Sequence, residues 1–243
     1  MKIVIVSDIH GNLPALERVL SDAGQFDSLW NLGDTAGYGP WPNECIDLVK
    51  SYSQSVHLAG NHDLAAIGSI PTDGFNPIAA AAARWTMDAL TDDHRTWLSA
   101  LPSITVNNGA TLAHGSPRSP VFEYILSSTL AAENFAHFAT SLCFVGHTHV
   151  PMIAVEGISQ AVNQPFKPAH QQAFDLNGVR GIINPGSVGQ PRDSDPRAAY
   201  AILRPDAGTV EFRRAAYPVK VARQAIIDAG LPKALGDRLL VGR

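Results

Sequence analysis

The sequence predicts an α/β protein, and three observations carry that expectation. Short runs of consecutive β-branched and apolar residues, such as Ile3-Val-Ile-Val6, recur along the chain, as expected of strands buried on both faces. Stretches with apolar residues at helical spacing fall between them. Five of the predicted strands stop at small clusters of glycine, aspartate, asparagine and histidine. With 243 residues, 45% of them hydrophobic, the chain can bury a substantial core, and one domain over residues 1–243 is expected.

Taken in order, residues 2–7 read as the first strand. Asn12 then caps a helix over residues 12–23, with Pro14 tolerated in its first turn. Residues 28–32 form a second strand, and residues 41–51 a helix whose apolar face carries Ile46, Leu48 and Val49. Residues 55–58 give a third strand. Residues 76–90 and 92–101 read as two helices, the first favoured by the alanine run at 79–83. Asn108-Gly109 fits a hairpin turn between strands at 105–106 and 110–113. A helix near 129–139 leads to a strand at 142–145. Further strands are expected at 150–155, 181–183, 198–203 and 209–213, then helices at 218–229 and 232–240. Residues 157–177, polar and containing Pro165 and Pro168, read as a mobile flap.

Composition excludes several function classes. The longest apolar runs fall far short of the ~20 residues that span a bilayer. The first residues lack the apolar core and cleavage site of a secretory signal. Cytoplasmic location is the resulting expectation. A net charge of −4 gives no electrostatic case for duplex nucleic acid as a partner. Two cysteines, Cys45 and Cys143, are too few for a disulfide framework or a zinc–thiolate site and read as core residues.

The chemistry sits in the five clusters: Asp8-Ile-His10, Gly33-Asp34, Gly60-Asn61-His62-Asp63, His114-Gly115 and Gly146-His147-Thr-His149. Five of the nine histidines lie inside them. Carboxylates, a side-chain amide and imidazoles are the donors that a pair of borderline divalent cations needs. Each cluster begins where a strand ends, and ligands gather at strand carboxyl ends in open α/β sheets. A hydrolase using two metal ions is therefore the leading expectation.

Asp-x-His, Gly-Asp, Gly-Asn-His-Asp, a lone His and Gly-His-x-His, in this order, resemble the calcineurin-like metallophosphoesterases. Asn184-Pro-Gly-Ser187, Pro191-Arg192 and the closing residues 229–243 are similar to the small bacterial and archaeal phosphodiesterase branch of that family. The resemblance implies a four-layer α/β/β/α sandwich of two mixed sheets flanked by helices, whereas periodicity alone equally allows one doubly wound sheet. The N-terminal βα units are expected to build the first sheet, and the later strands, including 198–203 and 209–213, the second. By the same resemblance Asp8, His10 and His149 hold one metal, Asn61, His114 and His147 the other, and Asp34 bridges them. Manganese is favoured; iron, zinc, cobalt and nickel also suit mixed nitrogen and oxygen donors. A metal-bridging hydroxide would attack phosphorus while His62 protonates the leaving oxygen.

The remaining polar residues divide less sharply. Asn12 reads as helix cap or loop organiser, and Tyr38 as groove lining or turn packing. Arg118 and Arg192 are candidates for phosphate contact, and Asp63 for anchoring a loop or orienting an imidazole. Protein-phosphatase relatives carry an Asp and an Arg soon after Gly-Asp. Here residues 34–40 read Asp-Thr-Ala-Gly-Tyr-Gly-Pro, which leaves the partner of His62 unidentified. A dianionic monoester gains most from a bidentate arginine, so the expected substrate is a small nucleotide-type diester. A phosphomonoesterase, a dinucleoside tetraphosphate hydrolase and a non-catalytic interaction module are the alternatives.

Overall fold

A computed structural model describes residues 1–157 and 167–243. Its strands are β1 (Ile3–Val6), β2 (Ser28–Asn31), β3 (Ser55–His57), β4 (Ile104–Asn107), β5 (Ala110–Ala113), β6 (Leu142–Phe144), β7 (Met152–Val155), β8 (Ala173–Asp175), β9 (Gly181–Asn184), β10 (Ala198–Arg204) and β11 (Thr209–Ala215). Its helices are α1 (Leu13–Ala23), α2 (Pro42–Lys50), α3 (Asn61–Ala66), α4 (Pro77–Ala89), α5 (Asp92–Ser99), α6 (Ser128–Asn134), α7 (Val219–Asp228) and α8 (Lys233–Leu239).

The strands form two mixed sheets, of order β3-β2-β1-β10-β11-β8 and β4-β5-β6-β9-β7. Strands β1, β2 and β3 are mutually parallel, as are β5, β6 and β9. Side chains alternate along each strand, and that alternation makes the layers. Ile3 and Ile5 face a core between the sheets together with Trp30, Phe144, Ile183 and Phe212. Val4 and Val6 face outward with Leu16 and Val19 of α1 and with Leu235 and Leu239 of α8. On the far side, Cys143 and Ile182 pack with Ala131 and Phe135 beneath α6. The result is the α/β/β/α sandwich of two mixed sheets flanked by helices.

Two expectations need correction. Strands β10 and β11 complete the first sheet, not the second: β10 runs antiparallel to β1, Ile3 opposite Leu203, with β11 outside it. A β1 paired only with β2 would leave a buried row of backbone donors and acceptors unmet, and β10, apolar on both faces, meets them. Within the expected flap, Ala173–Asp175 is an edge strand paired with β11; residues 158–166 lie outside the described residues. Sequence reasoning also passed over α3, whose first turn carries Asn61 and His62. Among the described residues no helix is long and apolar enough to cross a membrane.

Candidate metal centre

Parallel strands end on a common edge, and the five clusters meet there. Asp8 and His10 follow β1, Asp34 follows β2, Asn61 and His62 follow β3, His114 follows β5, and His147 and His149 follow β6. Backbone hydrogen bonds lock the loops together: Asp8 N–H to Gly33 O (3.0 Å), His10 N–H to Asp34 O (2.9 Å) and Gly146 N–H to His114 O (2.8 Å). Five of these residues adopt left-handed backbone, with φ of 53° at Asp8, 51° at His10, 54° at Asp34, 65° at His147 and 61° at His149. Such conformations cost about 1–3 kcal/mol each in non-glycine residues and persist only where surrounding structure imposes them.

The ligand atoms fall into two buried groups. Oxygen and nitrogen atoms of Asp8, His10 and His149 lie within 4.8 Å of one another, as do those of Asp34, His114 and His147. Asp34 Oδ2 joins the groups, at 3.7 Å from His10 Nε2 and 3.4 Å from His114 Nε2. Asn61 Oδ1 lies 3.2 Å from His114 Nε2.

Tautomers follow from the partners. A carbonyl only accepts, so the Nδ1–H groups of His10, His114 and His149 donate to Ala36 O (3.2 Å), Leu32 O (2.9 Å) and Gln190 O (2.6 Å). That pattern is typical of metal-ligating imidazoles, and it turns each Nε2 lone pair toward the centre. His10 Nε2 and His149 Nε2 then face each other at 3.1 Å. The carboxylates are divided in the same way. Asp8 Oδ2 accepts from His147 N–H (3.0 Å) and Asp34 Oδ1 from His62 N–H (2.8 Å), while Asp8 Oδ1 and Asp34 Oδ2 are buried without a hydrogen-bond partner among the described residues. Acceptors converging on acceptors in a buried site are repulsive unless cations lie between them. The residues present fit a pair of divalent ions.

Protonation agrees with ligand duty. Burial favours the neutral carboxyl, yet His149 holds Asp8, and His114 holds Asp34, below the usual carboxylate range. Burial pushes the His10 and His149 imidazoles down, and His147 down to about 3. His114 is the exception: although burial opposes its charged form, Asp34 pushes it up to about 9.

His62 lies beside this centre in an aromatic cradle. Ring centroids of Tyr38, His10 and Phe75 stand 4.3, 4.9 and 5.0 Å from its own, and Gly37 presses on the imidazole so closely that an added Cβ would sit 3.1 Å from Nδ1. The orienter is apolar packing. Burial pushes this imidazole down to about 4. Asp63 does not orient it: its carboxylate accepts from the backbone N–H of Thr35 (3.2 Å), Ala36 (2.8 Å) and Gly60 (3.1 Å) and anchors the Gly33–Ala36 turn.

The other candidates separate clearly. Asn12 caps α1 and donates to Gly189 O (2.9 Å) and Tyr217 Oη (3.2 Å), an organising role. Tyr38 packs on both His10 and His62. Arg118 is not left free for phosphate, because Glu123 and Glu133 already pair with it. Arg192 is close by: its N–H reaches His149 O (3.3 Å), its guanidinium donates to Gln190 Oε1 (2.9 Å) and to Tyr124, and its charge is felt at His62. Sequence reasoning assigned no role to Asn184 or Ser187. Asn184 Nδ2 donates to Gly146 O (2.6 Å) and Ser187 Oγ to Asp8 O (2.8 Å), so both brace ligand loops. It also passed over Tyr124, whose ring stacks on His147 at 3.9 Å.

Comparison with known proteins points to a family. The model of the calcineurin-like phosphoesterase superfamily domain matches residues 1–208. The chain is similar to a crystal structure of a metallophosphoesterase from Sphaerobacter thermophilus, with 47% identity and a TM-score of 0.92 over 100% of this chain and 99% of that one. An uncharacterised protein of Methanocaldococcus jannaschii is 33% identical over 99% of this chain and 98% of its own length. A shorter match, 41% over 26% of this chain and 25% of the relative, is to a symmetrical bis(5′-nucleosyl)-tetraphosphatase of Psychromonas ingrahamii.

Proposed function

This chain belongs to the calcineurin-like phosphoesterase superfamily, and from that premise we propose that it hydrolyses the phosphodiester bond of a small nucleotide-type substrate. Asp8, His10 and His149 would hold one divalent ion, Asn61, His114 and His147 the second, and Asp34 both; manganese is the favoured metal. When bound, the ions acidify a water and polarise the phosphoryl oxygens. The observation that carries the reading is the pair of inward-facing acceptor groups joined by Asp34.

The chain's own residues supply the rest. His62 delivers a proton to the leaving oxygen as its bond to phosphorus breaks, while water contributes hydroxide to phosphorus and its remaining proton restores the imidazole. Burial disfavours imidazolium here, and an arriving phosphate anion offsets that penalty. Arg192 adds one positive charge at the rim. One charge suits a monoanionic diester, and the stretch after Asp34 offers Tyr38 where a phosphatase would offer a guanidinium.

The test is the rate ratio between bis(4-nitrophenyl) phosphate and 4-nitrophenyl phosphate on manganese-loaded protein, run beside His62→Ala. The diester should be the faster substrate. His62→Ala should keep its metal content and slow diesters of poor leaving groups by about 10²–10⁴-fold, with a smaller effect on nitrophenolate. A faster monoester, or equal slowing across leaving groups, overturns the reading. The short match to a tetraphosphatase favours dinucleoside tetraphosphate hydrolysis as a second reading, and diadenosine tetraphosphate belongs in the same panel.

A further inference from the structure

Beside the centre opens a groove of about 630 Å³, lined by Tyr38, Asn76, Ile78, Leu235, Arg238 and Arg243 among others. Tyr38 packs directly on His62, so the wall of the groove reaches the acid through one aromatic ring. One part of its wall is apolar, with Ile78 40% exposed. The other part is cationic. Arg238 is held by the main-chain oxygen of Arg243, and burial together with the nearby charge of Arg192 holds its guanidinium below the ordinary range. Arg197, Arg213, Arg214 and Arg223 each pair with a carboxylate. Among the described residues no aspartate or glutamate pairs with Arg192 or Arg238. Two half-buried cations that feel one another's charge are destabilising until an anion arrives.

We propose that this groove binds the leaving half of the substrate and that this half carries a phosphate of its own. The leaving group is thus a nucleotide, its flat base against the exposed Ile78 and its phosphate at Arg238. The inference rests on the phosphodiesterase reading and adds a substrate class to it.

A matched pair of substrates tests it: a dithymidine monophosphate, and the same dinucleotide phosphorylated at both ends. On manganese-loaded protein the terminal phosphates should lower KM by about tenfold or more, the scale of one charge-assisted hydrogen bond. Arg238→Gln should abolish that ratio, and Arg238→Lys, which keeps the charge, should preserve part of it. Equal KM values for the pair in the parent protein, or an unchanged ratio in Arg238→Gln, overturn the proposal. Should neither dinucleotide turn over, calorimetric binding of the pair to metal-loaded His62→Ala reads the same ratio. The phosphodiesterase reading fails separately, by loss of bis(4-nitrophenyl) phosphate turnover.

Discussion

A methyl group added at Gly60 would sit 2.1 Å from Asp34 Oδ1 and 2.7 Å from the Asp34 backbone nitrogen. Gly60 has φ −94°, which alanine adopts freely, so the clash alone decides the outcome. Gly60→Ala should therefore push the Asp34 carboxylate aside and lower the content of both ions, as Asp34→Asn also should, while circular dichroism stays near that of the parent. Retention of both ions in Gly60→Ala would show that Asp34 is not held by this contact. At this scale the convergence of these donors was legible in the sequence, because metal chemistry needs particular donor types and few other pressures gather aspartates and histidines at strand ends. The cradle of His62 was not. Tyr38, Phe75 and Gly37 act through shape, and shape leaves no spacing signature.

Strand β3 carries His57, away from the centre. Its Nε2 lies 2.7 Å from Ser55 Oγ and its ring meets Trp97 at 5.2 Å; burial pushes the imidazole from 6.5 down to about 4. Below pH 6.5 the unfolded chain takes up a proton that the folded chain refuses until about pH 4. Stability is then lost as pH falls through that window and levels off beneath it. Denaturant midpoints of metal-free protein should fall less steeply between pH 6.5 and 4 in His57→Gln than in the parent, and equal slopes would refute this contribution. Most elements were legible from their periodicity, propensity and caps: Asn12 accepts from the first turn of its helix. Sheet membership of β10 and β11 was not, because an apolar strand records that it is buried and not which neighbour it pairs with.

For the whole molecule, converging acceptors mean that the fold bears an electrostatic load which bound ions relieve. Manganese at about 100 times its dissociation constant should stabilise by about 2.7 kcal/mol per occupied site, each site raising the thermal midpoint by roughly 5–10 °C at this chain length. A chelated sample melting at the same temperature as the loaded one would show that the ions do not bind where these ligands converge. The central place of β1 has a consequence during synthesis. Its second neighbour, β10, begins 192 positions after Val6, about 10–40 s later at ribosomal speed. Throughout that interval a bare ladder of isoleucine and valine is open to any passing polypeptide, so the cellular yield of this protein depends on how well chaperones shield a nascent chain still waiting for its partner.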